Sequence, residues 1–400
     1  MPRLFDQDLS RIEIARRSGS FGAFGGVRLM ELSDGLERGI RMLEFRSGSG
    51  LRFTVLVDRA MDICEVDFKG ASVGWHGPSG VRHPGLHEHA SEDGFSWGRS
   101  FSGFLVTCGL DHTLGPQVVP ADNYNYPGIK TNSHGLHGRI STIPAKLTGY
   151  GERWDGERCI LWAEGEVRQA ATFGETLTLY RCIEVDLGGT EIRLSDRVVN
   201  TGFLPNPHMF FYHINIGAPL LGEGARYLAP ISDVVWAGHA ARYRAQGVGY
   251  QTMPGPLDDF AEQVWQHEAE ADAKGEVPVA LVNDRLELGI EVVTRKDQLP
   301  CLYEWQHMQA GGYALGIEPS THHVLGNLAA RDRGEMIWLQ GQDSRRYDAR
   351  FSILNGAAAI AASAARIAAI ARQPADDYPD PSGRFRPLAG RGTGQGRKNV

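Results

Sequence analysis

Hydrophobic and polar residues alternate along much of the chain with a period of two, which is typical of half-buried β-strands. Residues 51–57 place Leu, Phe, Val and Val on one face, and residues 177–185 alternate in the same way. Gly188-Gly189 separates the second segment from apolar positions at 192 and 194, which predicts a hairpin with a glycine turn. Further strands are predicted at 159–163, 278–282, 286–294, 313–318, 336–340 and 349–354.

Helical periodicity is scarce before the end of the chain. Residues 356–372 are Ala-rich, with isoleucines spaced to share one helical face, and Pro374 ends the pattern. Glycine contributes 50 of the 400 residues, which indicates many turns between short strands. The chain is therefore predicted to be an all-β antiparallel sandwich or barrel in one domain over residues 1–372, with a C-terminal helix at about 356–372. Residues 373–400 are predicted to form a disordered tail.

Charge and cysteine content narrow the class of protein. A formal net charge of -7 provides no basic surplus for nucleic acid. No apolar run is long enough to span a membrane, and the N-terminus has no hydrophobic signal segment, so we expect a cytoplasmic protein without nucleic-acid or membrane partners. Five scattered cysteines without a CxxC motif are expected to be reduced structural thiols.

Histidines and one carboxylate stand out as candidate chemical groups. His134 and His137 lie in a glycine-rich segment, and His213 follows an aromatic run. Glu318 ends an apolar strand immediately before proline, where an unpaired carboxylate is costly to bury, so it is predicted to lie in a cleft. A carboxylate with imidazoles forms a general acid/base set. No phosphate loop or GxSxG motif occurs in the context that those functions need.

The segment from residue 77 to residue 100 is predicted to be a long polar loop with three histidines, His83, His87 and His89, next to Glu88. Loops of this length in a compact domain are usually functional or mobile, so a lid over a cleft is expected. A divalent-metal site is the alternative, although the HxxxHxH spacing matches no closed zinc pattern and no cysteine supports it.

Several motifs in a fixed order resemble the aldose 1-epimerase (galactose mutarotase-like) superfamily, and more closely a bacterial branch of it, over roughly residues 25–355. They are Asp58-Arg59-Ala60-Met61-Asp62-Ile63, the segment at 101–110, His134-Gly135-Leu136-His137-Gly138-Arg139, Tyr212-His213 and Gly316-Ile317-Glu318-Pro319. The resemblance implies a large antiparallel supersandwich with a sugar cleft. It also implies that Glu318 takes the anomeric proton, that His213 protonates the ring oxygen, and that His137 orients the sugar, with no cofactor.

The sequence departs from the superfamily at one position. An arginine that classical mutarotases carry upstream of the first histidine is missing from residues 105–112, so the sugar is expected to be free or modified, including oxidised or acidic aldoses. Replacements for this arginine and further sugar contacts are expected among seven residues: Arg59, Asp62, His112, His134, Arg139, His208 and Trp305. Trp75 and Trp97 are further candidates for stacking on a sugar.

Two alternatives to anomer interconversion remain open. The same acid/base pair suits an epimerase, isomerase or lyase acting on a keto-sugar, which needs a metal or a cationic side chain to stabilise an enolate. A non-catalytic carbohydrate-binding protein is the second alternative, because the fold does not determine the function. We expect a small-molecule sugar ligand in every case, and a monomer or a homodimer.

Overall fold

Antiparallel strands make up most of the regular structure, as the alternating pattern predicts. The structure, a computed structural model, describes residues 1–238 and 240–388. The strands in this part of the chain are β1 Arg3–Leu4, β2 Gln7–Asp8, β3 Gly26–Glu31, β4 Arg41–Arg46, β5 Leu51–Leu56, β6 Asp62–Phe68, β7 Ala71–Ser72, β8 Leu105–Leu110, β9 Gln117–Pro120, β10 Thr131–His134, β11 Lys146–Asp155, β12 Arg158–Ala170, β13 Thr176–Asp186, β14 Glu191–Asn200, β15 Asn206–Ile216, β16 Arg226–Leu228, β17 Ile231–Ala237, β18 Gln263–Ala269, β19 Glu276–Asn283, β20 Leu288–Arg295, β21 Cys301–His307, β22 Ala314–Ser320, β23 Ile337–Leu339 and β24 Ser344–Asn355. The helices are α1 Arg11–Arg17, α2 Ala240–Ala245, α3 Gly326–Asp332 and α4 Ala357–Ile370.

Two large sheets pack on each other and form the sandwich. The first runs β11-β12-β13-β14-β24-β20-β19-β16, and the second runs β17-β18-β21-β22-β15-β23, with β8 also pairing β15. A third sheet, β3-β4-β5-β6-β7, adjoins them. Inward residues of β13 alternate with outward residues, and Phe104 meets Phe351 edge-on across the core with ring centroids 5.3 Å apart. The predicted all-β antiparallel sandwich is therefore confirmed.

The predicted glycine hairpin is present as β13 and β14, which pair antiparallel on either side of Gly188. Helix α4 lies close to the predicted helical segment and packs Ile360 and Ile367 against β19 and β24. No helix in residues 1–238 or 240–388 is long and apolar enough to cross a membrane.

The segment that follows α4 lies against the second sheet as far as the structure describes it, whereas the sequence predicts a disordered tail. Tyr378 is buried against Trp265, with ring centroids 4.5 Å apart. The backbone N–H groups of Ser382 and Gly383 donate hydrogen bonds to β17 carbonyls. An aromatic side chain and strand-edge hydrogen bonds stabilise this segment despite its polar composition. Residues 389–400, the rest of the predicted tail, lie outside the described residues.

Strand β15 is an interior strand of the second sheet and is buried along its whole length. It pairs with both β22 and β8, so side chains from three adjacent strands meet on its outer face. A second hydrophobic cluster covers that face, formed by Trp75, Trp97, Phe101, Val106, Cys108, Phe211 and Ala314. Trp97 and Phe101 belong to residues 77–103, named the strap here, which crosses this face between β7 and β8.

Candidate active site

The predicted acid/base pair forms at the centre of this face. Ile214 pairs with Ile317 and Phe211 pairs with Ser320, and this register places His213 on β15 opposite Glu318 on β22. His213 Nε2 lies 3.1 Å from Glu318 Oε1. Only 3% of His213 and 4% of Glu318 is exposed. Two strands that are distant in sequence thus hold a carboxylate and an imidazole in contact inside the protein.

Polar atoms of this pair lack hydrogen-bond partners among the described residues. They are Glu318 Oε1 and His213 Nδ1, both fully buried. The 3.1 Å contact is therefore close without the alignment of a hydrogen bond. Buried polar atoms without partners are rare and costly in folded proteins, so both atoms are suited to accept or donate a hydrogen bond from a bound molecule.

Burial sets the protonation of the pair. Loss of solvent raises the pKa of Glu318 well above its usual range, and the nearby Glu262 carboxylate adds to the rise. Loss of solvent lowers the pKa of His213 to about 3. In the closed site at neutral pH, these shifts favour a protonated Glu318 beside a neutral His213. The pair therefore presents one proton donor and one proton acceptor.

His137 approaches the pair from a strained turn. Its φ of +58° lies in the left-handed region, and Gly138 follows with a φ of +79° at a point where a Cβ would collide with the carbonyl of Gly109. The ring Nδ1 accepts a hydrogen bond from Leu114 N at 3.2 Å, and the ring centroid lies 5.9 Å from that of His213. Burial lowers the pKa of His137 well below its usual value, with a further contribution from His213. A neutral imidazole is thus held beside the pair.

Aromatic rings enclose the pair. Trp97 stacks on Phe101 with centroids 4.1 Å apart, and Phe101 lies edge-on to His213 at 4.6 Å. Trp305 on β21 lies 5.2 Å from the His213 ring and donates its indole N–H to Glu262 at 3.1 Å. Flat apolar faces next to buried polar groups suit the binding of a sugar ring.

Three residues of this site, Gly316, Glu262 and Phe101, have no role predicted from the sequence, although Gly316 and Phe101 lie within motifs of the superfamily resemblance. A Cβ on Gly316 would come within 2.8 Å of Glu318 Oε1 and 3.1 Å of His213 Cε1, so the glycine makes the space in which the pair meets. Gly316 precedes Glu318 by two strand positions, and that spacing alone indicates a shared face. No sequence signal connects Glu262 or Phe101 with Glu318, because both contacts depend on tertiary structure.

Two predicted sugar contacts lie beside His137 rather than at the pair. The rings of His112 and His134 stack at 4.7 Å, and burial lowers their pKa values to about 4 and about 3 respectively. His112 Nε2 contacts the Gly115 carbonyl at 2.9 Å, and His134 Nδ1 lies 3.9 Å from Asp111 Oδ2. His134 also lines an open groove of about 610 Å³ together with Arg139.

Three other predicted sugar contacts make structural interactions within the protein. His208 uses both ring nitrogens, on the Leu110 carbonyl at 2.7 Å and the Tyr347 hydroxyl at 2.6 Å. Asp62 accepts hydrogen bonds from Thr107 and from Arg181, a buried guanidinium that also binds Asp196. Arg59 donates to backbone carbonyls. Trp305 is the one member of the seven with a ring contact to His213.

Two histidines of the strap contact hydroxyl groups of the protein, and the third, His83, accepts a hydrogen bond from Gly85 N at 3.0 Å. His87 Nδ1 contacts Ser100 Oγ at 3.3 Å, and His89 Nε2 contacts Thr142 Oγ1 at 3.2 Å. Within residues 1–238 and 240–388, no group of three or more His, Cys, Asp or Glu side chains is arranged to hold a metal ion. Cys64, Cys108, Cys159 and Cys182 are free thiols, and Cys301 Sγ lies 3.5 Å from His323 Nδ1.

Comparisons with known proteins agree with this fold. The model of the family described as "Domain of unknown function (DUF4432)" matches residues 37–353. The structure is similar to the crystal structure of a "putative aldose 1-epimerase" from Klebsiella pneumoniae subsp. pneumoniae MGH 78578, with a TM-score of 0.80 and 26% identity over 90% of this chain and 91% of that chain. No curated protein matches the sequence.

More distant solved structures share the same architecture. A galactose mutarotase-like protein from Clostridium acetobutylicum has a TM-score of 0.54 and 12% identity, covering 82% of this chain and 98% of that chain. The galactose 1-epimerase from Lactobacillus acidophilus NCFM has a TM-score of 0.53 and 11% identity, covering 82% and 99%. The fold is thus that of the galactose mutarotase-like proteins, and the resemblance found in the sequence is confirmed.

Proposed function

The chain belongs to the DUF4432 family, and we propose that it is a carbohydrate isomerase that interconverts the anomers of a free or modified aldose. The observation that carries the proposal is the buried contact between His213 and Glu318, with unpartnered polar atoms on both side chains. The similarity to the Klebsiella pneumoniae protein described as a "putative aldose 1-epimerase" supports it.

Anomer interconversion needs a proton acceptor and a proton donor on the same side of the sugar. The acceptor removes the proton of the C1 hydroxyl while the donor protonates the ring oxygen, so that the bond from C1 to the ring oxygen breaks and a C1 carbonyl forms. Rotation about the bond between C1 and C2, followed by the reverse transfers, closes the ring to the other anomer. No net proton, electron or cofactor is consumed.

Glu318 and His213 together supply these two groups. We assign the base role to Glu318 and the acid role to His213, as the superfamily resemblance implies. The sugar must first contribute hydroxyl groups that solvate the carboxylate, because in the closed site burial keeps the proton on Glu318. The opposite assignment, with a protonated Glu318 as acid and a neutral His213 as base, balances the same protons.

Neighbouring side chains are assigned to orient the sugar. His137 lies within reach of a molecule bound at the pair, with its ring 5.9 Å from His213. Trp305 and Trp97 offer flat faces on two sides of His213, at 5.2 and 5.9 Å between ring centroids. Arg139 and His134 line the adjacent groove, where substituents of a larger or acidic sugar are expected to bind.

The proposal is tested by measuring anomer exchange by NMR on a panel of aldoses, with and without a chelator. Wild type is compared with Glu318→Gln and His213→Asn. We expect chelator-insensitive exchange that falls by about 10²- to 10⁴-fold in both variants, the range for a lost proton-transfer group. Glu304→Gln is the matched control, because Glu304 is fully buried in a second pair with His267.

Two results would contradict the proposal. Absence of exchange with every sugar in the panel contradicts anomer interconversion. A Glu318→Gln variant that binds sugar normally and still catalyses exchange contradicts the role given to the pair. If wild type shows no turnover and Glu318→Gln binds sugar with wild-type affinity, the protein is a carbohydrate-binding protein instead.

A further inference from the structure

The strap seals the proposed site from solvent. Trp97 and Phe101 are 5% and 9% exposed, and their ring centroids lie 5.9 and 4.6 Å from that of His213. A sugar contacting the pair would have to occupy space that these rings now border. Substrate entry therefore requires displacement of the strap.

The construction of the strap is suited to local opening. It contains three short 3-10 turns, Pro84–Leu86, Glu92–Gly94 and Ser96–Arg99, and within the described residues it pairs with no strand. Segments with few backbone hydrogen bonds to the rest of a fold open at a lower free energy than the sheets do. Lids of this kind gate many enzyme sites.

One buried guanidinium ties the strap to the sandwich. Arg59 follows strand β5 and is 4% exposed. It donates to the Ser100 carbonyl at 2.9 Å and the Arg82 carbonyl at 3.3 Å, which both belong to the strap. It also donates to the Ser141 carbonyl at 2.7 Å. Ser141 lies four residues after His137, so Arg59 joins the strap to the segment that carries His137. The Trp97 indole N–H of the strap reinforces this link by donating to Ser141 Oγ at 3.2 Å.

The chemistry around Arg59 is unusual for a buried charge. Among the described residues, no carboxylate lies within ion-pair distance of its guanidinium, and burial lowers the pKa of Arg59. All of its hydrogen bonds go to carbonyl oxygens, and Asp62 stabilises its charge only from beyond ion-pair distance, so burial of this guanidinium costs free energy compared with an apolar side chain. The guanidinium of Arg181 is also buried, but its charge is balanced by ion pairs with Asp62 and Asp196.

We propose that Arg59 is a positioning residue that latches the strap, so that Trp97 and Phe101 cover the His213–Glu318 pair until the strap opens for sugar entry. The inference rests on the proposed function for the identity of the site, but the latch itself is independent of which reaction occurs. Arg59 acts through three backbone carbonyls rather than by touching the sugar. The planar fork of donors is required, because a lysine ammonium reaches fewer carbonyls at once.

The test uses two native cysteines as reporters in the intact protein. Cys108 lies beneath Trp97 and Phe101 in the second hydrophobic cluster and is fully buried. Cys159 is buried in the main core and reports unfolding of the sandwich. Labelling by a maleimide without denaturant, located by peptide mass spectrometry, gives the rate at each thiol in wild type, Arg59→Lys and the matched control Arg181→Lys.

We expect Arg59→Lys to speed the labelling of Cys108 by about tenfold or more relative to Cys159, which corresponds to the loss of a hydrogen bond from a charged donor. We expect Arg181→Lys to change both thiols by the same factor. Equal acceleration of both thiols in Arg59→Lys, no acceleration of Cys108, or a selective effect in Arg181→Lys would overturn the latch. Because labelling needs no sugar, it tests the latch even if the protein does not catalyse anomer interconversion.

Discussion

The imidazole of His267 contacts the carboxylate of Glu304 in the core of the sandwich, with Nε2 and Oε2 3.0 Å apart. Glu304 precedes Trp305 on β21, so it points to the face opposite the candidate site. Unlike Glu318, Glu304 is fully satisfied, since it binds His267 through Oε2 and accepts a hydrogen bond from Gln306 through Oε1. The two pairs therefore differ at the carboxylate, because both oxygens of Glu304 are bound within the core whereas Oε1 of Glu318 has no hydrogen-bond partner. The histidines do not differ in this way, since His267 Nδ1 and His213 Nδ1 are both without a partner among the described residues.

This difference predicts opposite effects of truncation. Glu304→Ala is expected to lower the free energy of unfolding by about 3 kcal/mol, because it leaves two buried donors unpaired and opens a cavity. Glu318→Ala is expected to cost less stability, because Oε1 has no hydrogen-bond partner to lose. Urea unfolding measures the two losses of stability, and the rate of anomer exchange per folded molecule measures the loss of activity in each variant. Exchange lost in Glu304→Ala and kept in Glu318→Ala would refute the assignment of the site.

Gly316 offers a subtler probe of the space between the paired side chains. We expect Gly316→Ala to lower anomer exchange by at least tenfold, because its Cβ would come within 2.8 Å of Glu318 Oε1. Gly289 provides a matched control on β20, where a Cβ would come within 2.9 Å of Val282 Cγ1 in a different sheet. If Gly316→Ala and Gly289→Ala reduce exchange equally at equal folded concentration, the close approach at Gly316 is not specific to the reaction.

Acid is expected to destabilise the fold through its neutral histidines. Burial lowers the pKa of His134 to about 3, so between that pKa and the ordinary value near 6.5 the unfolded chain binds a proton that the folded chain excludes. The free energy of unfolding must then rise with pH across this window. Wild type is expected to lose about 2 kcal/mol more than His134→Asn between pH 7 and pH 5.

Urea unfolding at pH 5 and at pH 7 measures this difference. Glu318 and Glu304 act with the opposite sign, because a raised carboxyl pKa stabilises the fold at low pH and the contribution is lost as pH rises. Both carboxyl groups are present in wild type and in His134→Asn, so their contribution cancels when the two proteins are compared at pH 5 and at pH 7. Parallel losses in wild type and His134→Asn would mean that the ring is already protonated in the folded state.

The periodicity of the sequence predicted an all-β sandwich or barrel, because strands such as β13 bury alternate residues. It could not predict β15, which is buried along its whole length, and the supersandwich followed from the family resemblance. The hairpin β13–β14 and helix α4 follow directly from such patterns. The meeting of His213 and Glu318 followed from motif order and the family resemblance, since 105 positions separate them and no local pattern brings them together. The buried Arg181 network around Asp62 was missed for the same reason, as its contacts join β6 with β13.

The strap and the terminal segment show a second limit of the sequence. Both are polar and rich in glycine or proline, so composition predicts loops or disorder. Their order depends on a few side chains that reach across the fold, such as Arg59 to the Ser100 carbonyl and Tyr378 to Trp265. These contacts depend on the relative position of distant elements, which residue type alone does not encode.

The most direct measurement is anomer exchange followed by NMR in D2O. If Glu318 and His213 transfer protons only to and from sugar oxygens, the two anomers exchange with no deuterium entering any carbon position of the sugar. Incorporation of deuterium at carbon would instead mean that a side chain abstracts a carbon-bound proton, as in a keto-sugar epimerase. That result, or the absence of exchange with every aldose, would contradict the account.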